Sequence, residues 1–320
     1  MSKNPQAKVL STYELMQLFP DEDAAVKYLA GILWPNGPVC PHCQSQNTNP
    51  YKSKRHFHHC NGCGKDFSIR IGTIFEASHI PLHKWLYAMY LIVTARKGIS
   101  SMQLSKELGI TQKSAWFLEQ RIRAACGNQT AKILAGIVEA DETYLGGLEK
   151  NKHKDKKLNQ GRGTVGKTPV FGMRDRNGQV VAHIVNSTDA PTLQGEIKKS
   201  VAPGSVVCTD EHKSYNGLGG LFVHMTVNHS TKQWVDGMAS TNGIESVWAV
   251  LKRAYTGVFH HFTMRKSQFY LDEVVFRFNE GNCKFDTVDR LRALVNGVRG
   301  KRLTYKMLIS GNFQAGGSNP

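Results

Sequence analysis

The sequence predicts an α+β multidomain protein, and three observations carry that prediction. Two paired-cysteine knuckles stand near the N-terminus, two helical stripes flank Gly109, and from residue 132 onward short β-branched runs are broken by a helical one. A length of 320 residues exceeds one ordinary domain, and an apolar share of 40% can build a core, which excludes disorder throughout. The expected boundaries are N-terminal helices over 1–35, a metal-stapled ribbon over 36–78, a helix-turn-helix region over 79–130, a mixed α/β domain over 131–300 and a C-terminal tail over 301–320.

Charge narrows the partners. Lys and Arg total 41 against 25 Asp and Glu, a formal net charge of +16, so a polyanion is the natural counterpart. Nucleic acid fits better than a membrane, because the longest apolar run, 85–95, falls far short of the roughly 20 residues that span a bilayer. The first ten residues lack an apolar leader segment, so a cytoplasmic protein is expected. Seven cysteines, an odd number, fit a disulfide framework poorly, and four of them are paired in sequence.

The first element is a helix over 21–33, with acids in its first turn and a stripe of Ala25, Val26, Leu29, Ile32 and Leu33. Cys40-x-x-Cys43 and Cys60-x-x-Cys63 follow, sixteen residues apart, the spacing of a zinc ribbon. Four thiolates close a tetrahedral shell, so the ion is structural, and Gly62 and Gly64 relieve the tight second knuckle. His42, His56, His58 and His59 are near enough to replace one sulfur. Lys52, Lys54, Arg55, Lys65 and Arg70 make the module basic, which suits either phosphate contact or a solvated face. Next, Met102, Leu104 and Leu108 mark one helix and Ala115, Leu118 and Ile122 another, with Gly109 as the break and Thr111 as N-cap. A helix-turn-helix of this kind would present Gln112, Lys113, Ser114 and Trp116 near the start of its second helix, where base edges are read.

Strands are expected over 133–138, 170–173, 180–185 and 206–208, with a helix over 191–201 between the last two and a turn at 175–178 joining the second and third. Helices follow over 241–255, 267–279 and 287–298, and the end of the tail reads as disordered. Asp141 and Asp210 then fall at the ends of two strands of one sheet, and Glu245 lies on the helix whose buried stripe is Ile244, Val247, Trp248 and Leu251. Lys252, seven residues after Glu245, shares its line along that helix. Three such acids suit phosphoryl transfer, because hard carboxylate oxygens hold Mg²⁺ or Mn²⁺ while leaving positions open to water and phosphate. Glu139, Glu142 and Glu211 compete for the same roles. The basic run 150–157, with Arg162 and Lys167, forms a loop between the first two strands that suits either tracking DNA or disorder.

Taken together, the segments FPDEDAA (19–25), WPNGPVCPHC (34–43), GTIFE (72–76), PLHKW (81–85), EADETYLGG (139–147), TDEHKSY (209–215), NGIESVW (242–248) and YLDEVVFRFN (270–279) resemble the DDE transposases of bacterial insertion sequences, in the group with an N-terminal zinc ribbon and an ISXO-like transposase domain. The resemblance covers most of the chain. It implies an RNase H-like catalytic domain in which Asp141, Asp210 and Glu245 are the magnesium-binding catalytic triad and Lys252 the basic residue a heptad later, with His260 and His261 where the group often carries a histidine pair. It further implies binding to double-stranded DNA at element ends and target, cleavage followed by strand transfer, and a homodimer or larger assembly to hold two ends. The competing expectations are a domesticated, non-catalytic DNA-binding regulator and an RNase H-like nuclease that cuts without joining.

Overall fold

The structure, a computed structural model, describes residues 7–127, 132–147, 153–157, 164, 166–227, 235–236, 239–260 and 262–310, and the chain divides into two compact units, 1–128 with 280–320 and 129–279. In the first unit, α1 (Thr12–Leu18) opens on a reciprocal cap: Ser11 Oγ accepts from Glu14 N–H and the Glu14 carboxylate accepts from Ser11 N–H. The expected stripe helix is α2 (Glu22–Leu33), capped by Asp21 and buried through Ala25, Leu29 and Leu33. A small antiparallel sheet follows, in the order β1 (Thr48–Pro50), β2 (Phe57–Cys60), β3 (Asp66–Ser68). The apolar run beginning at Leu82 becomes α3 (Leu82–Thr94), buried on almost every side, as a core helix should be.

Two shorter helices come next, α4 (Ser101–Leu108) and α5 (Gln112–Cys126). Gly109 sits between them at φ 62°, a left-handed turn that spares a side chain the usual steric penalty. Ser100 and Thr111 cap the two N-termini, each oxygen accepting a backbone N–H at 3.2 Å. Of the apolar positions expected to face inward, Leu104, Leu108, Ala115, Leu118 and Ile122 are buried, whereas Met102 is 56% exposed. Ser105 takes its place on the buried face, because its hydroxyl can satisfy itself on the Met102 carbonyl.

The second unit is the mixed α/β domain. Its strands are β4 (Ile137–Leu145), β5 (Thr168–Asp175) and β6 (Val180–Ile184), then, after α6 (Ala190–Ser200), β7 (Val206–Thr209) and β8 (Val223–Thr226). The sheet order is β6-β5-β4-β7-β8; β4, β5 and β6 are antiparallel, and β7 and β8 run parallel to β4. Both faces are covered. Val138, Ala140, Phe171, Met173 and Val207 pack with Leu193 and Ile197 of α6. On the other face Val170, Val180 and Ala182 pack with Ile244, Val247, Trp248 and Leu251 of α7 (Asn242–Ala254) and with Leu271 and Val274 of α8 (Met264–Phe278). One boundary differs in a way that matters: β4 starts four residues later than expected and runs through the acids, so Asp141 lies within the strand. Pairing to β5 from Val138 to Leu145 holds the polar stretch extended, with β7 alongside only at its start, which composition alone does not reveal.

The chain then returns to the first unit. α9 (Thr287–Asn296) packs on α2 and α3, Arg290 Nη1 donates to the Val93 carbonyl at 2.8 Å, and α10 (Tyr305–Ser310) follows. Residues 280–300 therefore sit with the N-terminal core, although their sequence order groups them with the α/β domain. The amphipathic stripe of Leu291, Leu294 and Val295 says that α9 is buried, but not against what. Disorder is expected from Ser310 onward; Ser310 is instead the last residue of α10, and 311–320 lie outside the described residues, as do 150–152 and Arg162 of the basic run. Among the described residues no helix is long and apolar enough to cross a membrane.

Candidate functional site

The four knuckle cysteines converge. Their sulfurs all lie within 4.8 Å of one another, with Cys40 Sγ to Cys63 Sγ at 3.7 Å and Cys43 Sγ to Cys60 Sγ at 3.5 Å. A tetrahedral zinc with Zn–S bonds of about 2.3 Å sets sulfurs about 3.8 Å apart, so the set fits structural zinc. The two knuckles share one design. Gln44 and Gly64 each follow a second cysteine at φ 62° and 68°, and each returns its N–H to the first cysteine's carbonyl, at 2.9 and 2.8 Å. Trp34, His58 and Phe67 form an aromatic floor beneath the sulfurs. The histidines are otherwise engaged: His56 pairs with Asp23 at 2.8 Å, His59 with Asp66 at 3.0 Å, His58 stacks on Phe67, and His42 is exposed. The shell is four sulfurs.

The carboxylates are gathered by the sheet. In the parallel pairing of β4 and β7, Glu139 stands opposite Cys208, and Asp210 directly follows the last residue of β7, near enough to Asp141 for its charge to act there. Burial, then the negative charges of Glu142 and Asp210, push Asp141 from its ordinary 3.8 up to about 7. Trp248 Nε1–H donates to Asp141 Oδ2 at 3.0 Å from α7. That reach depends on Gly172, which faces Asp141 across β5, because a Cβ there would stand 2.5 Å from Trp248 Cη2. Asp210 Oδ1 accepts from His212 N–H at 3.0 Å. Glu142 receives the Tyr215 hydroxyl and is also raised by burial, while Glu211 is exposed.

Glu245 occupies the first turn of α7, three residues before Trp248 and so on the same side of the helix; its Oε1 accepts the Thr241 hydroxyl at 2.8 Å. Lys252 is exposed further along α7. Among the described residues the cysteines are the one set of three or more His, Cys, Asp or Glu ligand atoms drawn together to this degree, so the three acids do not form a closed cage. They come from β4, the end of β7 and the first turn of α7. Sequence reading missed the donors around it: Trp248 on Asp141, Tyr215 on Glu142, and Arg176 with Ile244 N–H on Glu139. For Glu139 a signal existed, since a residue two positions before Asp141 on a strand shares its face.

On α5 the proposed base-reading positions have partners of their own. Gln112 Nε2 donates to Ser101 Oγ at 2.8 Å, Lys113 Nζ lies 4.9 Å from the centre of the Tyr305 ring, Ser114 shares the Thr111 cap, and Trp116 meets Tyr305 edge-on. Gln112 and Lys113 are exposed, Ser114 and Trp116 half-buried. In the ribbon, Arg70 is taken up internally, donating to the Ser78 and Ile80 carbonyls and to Glu22 Oε1, which removes it from any phosphate-facing set.

Residues 133–279 match the ISXO2-like transposase domain, and residues 20–66 match the transposase zinc-ribbon domain. An uncharacterized protein in transposable element ISH50 of Halobacterium salinarum is 30% identical over 254 residues, which are 74% of this chain and 84% of that protein. An uncharacterized transposase-like protein of Haemophilus influenzae is 32% identical over 120 residues, 37% of this chain and 95% of that protein. The two matched domains take in the sulfur cluster and the α/β unit that contains Asp141, Asp210 and Glu245. The chain belongs to the transposase family that joins an N-terminal transposase zinc ribbon to an ISXO2-like transposase domain.

Proposed function

We propose that this protein is a DNA transposase of the three-carboxylate kind, in which Asp141, Asp210 and Glu245 of an RNase H-like domain carry out metal-dependent cleavage at the ends of an insertion sequence and strand transfer into target DNA. The observation that carries the reading is the buried Asp141 on the central strand, within electrostatic reach of Asp210 just past the end of β7, with Glu245 about one helical turn from the tryptophan that donates to Asp141. Hard carboxylate oxygens of this kind fit a divalent cation, since a cation offsets both the burial that chiefly raises Asp141 and the repulsion from Glu142 and Asp210 that adds to it. Mg²⁺ or Mn²⁺ bound there would polarise the scissile phosphate and activate the attacking oxygen.

The chain's own residues divide the remaining work. Trp248 fixes the rotamer of Asp141 by occupying Oδ2, and the His212 N–H does the same for Asp210. Thr241 keeps the Glu245 carboxylate at the helix start. Lys252, exposed on the same helix, would contact the phosphate backbone. Cleavage would free a 3′-hydroxyl at each element end. That hydroxyl then attacks a target phosphodiester, forming one P–O bond as the target's own 3′-oxygen leaves, with no covalent enzyme intermediate. The zinc ribbon and the α4–α5 helix-turn-helix, with Gln112, Lys113, Ser114 and Trp116 at its reading end, would bind double-stranded DNA. A dimer or larger assembly would hold two ends together in the bacterial cytoplasm, at the nucleoid.

The test incubates purified protein, Mg²⁺ and DNA bearing the flanking element ends with a target plasmid. Joined products are expected from the wild type and not from Asp210→Ala. Cutting without joining would instead favour a nuclease, DNA binding with neither step would favour a regulator, and equal joining by the variant would remove the carboxylate assignment.

A further inference from the structure

We infer that Glu139 is a positioning residue for the strand-transfer site: from β4 it holds the first turn of α7 and so sets where Glu245 and Trp248 stand relative to Asp141. The inference rests on the reading proposed above. Glu139 is 2% exposed and lies two residues before Asp141, on the face of β4 that meets α7. Its Oε2 accepts the Ile244 N–H at 2.9 Å, across 105 residues of sequence, and its Oε1 receives Arg176 Nη1 at 2.7 Å.

Helix α7 has no side-chain cap of its own, because the Thr241 hydroxyl is turned to Glu245. Glu139 supplies the missing acceptor from the sheet, with its negative charge at the positive end of the helix dipole. The approach is close. A Cβ on Gly243 would fall 2.5 Å from Glu139 Oε2, so a side chain at 243 would force that carboxylate to shift from its place on Ile244. A second strut works from β5, where Arg174 Nη1 donates to the Gly243 carbonyl at 2.8 Å and to Ser246 Oγ at 2.9 Å. With both Glu139 oxygens engaged by protein donors, this carboxylate acts on the site through α7.

The test measures joining by the full chain against Mg²⁺ concentration for Glu139→Ala, Glu139→Gln, Gly243→Ala and the double variant Glu139→Ala/Gly243→Ala, with Asp210→Ala in parallel. Glu139→Ala is expected to raise the half-saturating Mg²⁺ about tenfold, the scale of losing support behind metal ligands. Glu139→Gln, whose amide oxygen still accepts from Ile244, should recover most of that loss. Gly243→Ala alone should shift the midpoint as Glu139→Ala does, and the double variant should be no worse than either single change, because the oxygen that the added methyl group strikes is gone. Additive shifts, or Mg²⁺ curves unchanged in all four variants, would overturn the inference. So would Glu139→Gln being as inactive as Asp210→Ala at every Mg²⁺ or Mn²⁺ concentration, since that is the behaviour of a ligand. Should Glu139→Ala fail to fold, Glu139→Gln and Gly243→Ala decide the matter by the same midpoint. If Asp210→Ala joins DNA normally, the strand-transfer reading itself falls; if it is inactive while the Glu139 and Gly243 variants behave as wild type, only the positioning role does.

Discussion

The sulfur cluster and the carboxylate cluster are built in opposite ways. The cysteines belong to two matching turns joined by a few short strands, so local geometry brings all four sulfurs within 4.8 Å. The acids come from β4, the end of β7 and the start of α7, where the Trp248 hydrogen bond to Asp141 ties the helix to the strand. The first site is closed by its own loops. The second buries Asp141 beside the charges of Glu142 and Asp210, burial first and then those charges raising its pKa, and leaves Glu245 on the Thr241 hydroxyl. A closed shell of soft ligands serves stability, whereas an open edge of hard ligands leaves room for a substrate.

Removing zinc should have the largest effect and the most local one. Structural zinc contributes on the order of 10–16 kcal/mol of apparent binding free energy in small ribbons, so a strong chelator or Cys60→Ser should release one zinc per chain and abolish amide-exchange protection in 48–68. Protection in 137–145 and 206–209 should persist; its simultaneous loss would break the contrast between a self-contained ribbon and a separately built sheet. Next comes Asp141→Asn, which keeps the shape and the Trp248 contact but removes the charge. Joining should fall by at least about 10²-fold, the scale for deleting a main electrostatic group. In chelator the same variant should melt higher than wild type, because it removes a buried charge that repels Asp210.

The pH dependence sharpens the same point. Unfolded, Asp141 titrates near 3.8; folded and metal-free, near 7. Between those values the folded chain retains a proton that the unfolded chain has released, so raising pH favours unfolding, with the loss beginning near pH 4 and complete above pH 7. Denaturant melts in chelator should show this decline, Mg²⁺ should reduce it, and Asp141→Asn should abolish its part. A decline of equal size in that variant would assign it to other groups. The smallest change expected is for Trp248→Phe, which keeps an aromatic side chain on α7 and loses one hydrogen bond worth about 1 kcal/mol. Joining at limiting Mg²⁺ should drop roughly fivefold with little change in melting temperature, and no change would mean that Asp141 is oriented without Trp248.

Much of this was legible where the causes are local. The knuckles announce themselves because all four donors lie between residues 40 and 63, and Asp21, Gly109 and Thr111 act as the cap and turn residues their chemistry favours. The stripe of Ile244, Val247, Trp248 and Leu251 is buried as the helical period requires. What stayed hidden depends on partners distant in sequence. The true extent of β4 follows from strands on both sides, α9 shows an apolar stripe without showing which core receives it, and Glu139 reads as one more acid until Ile244 N–H is placed against it. Met102 misleads for a related reason, since apolar spacing cannot anticipate a serine that satisfies its own hydroxyl at a buried position.

The central claim is that Asp141, Asp210 and Glu245 meet around a divalent cation. Iron-directed backbone cleavage tests it most directly: Fe²⁺ replaces Mg²⁺ on the full chain bound to element-end DNA, and ascorbate with peroxide generates radicals that cut the polypeptide beside the ion. Cuts near 141, 210 and 245 together, suppressed by excess Mg²⁺ and absent in Asp210→Ala, are the predicted result. Cuts that spare the neighbourhood of 245, or that persist unchanged in Asp210→Ala, would contradict it.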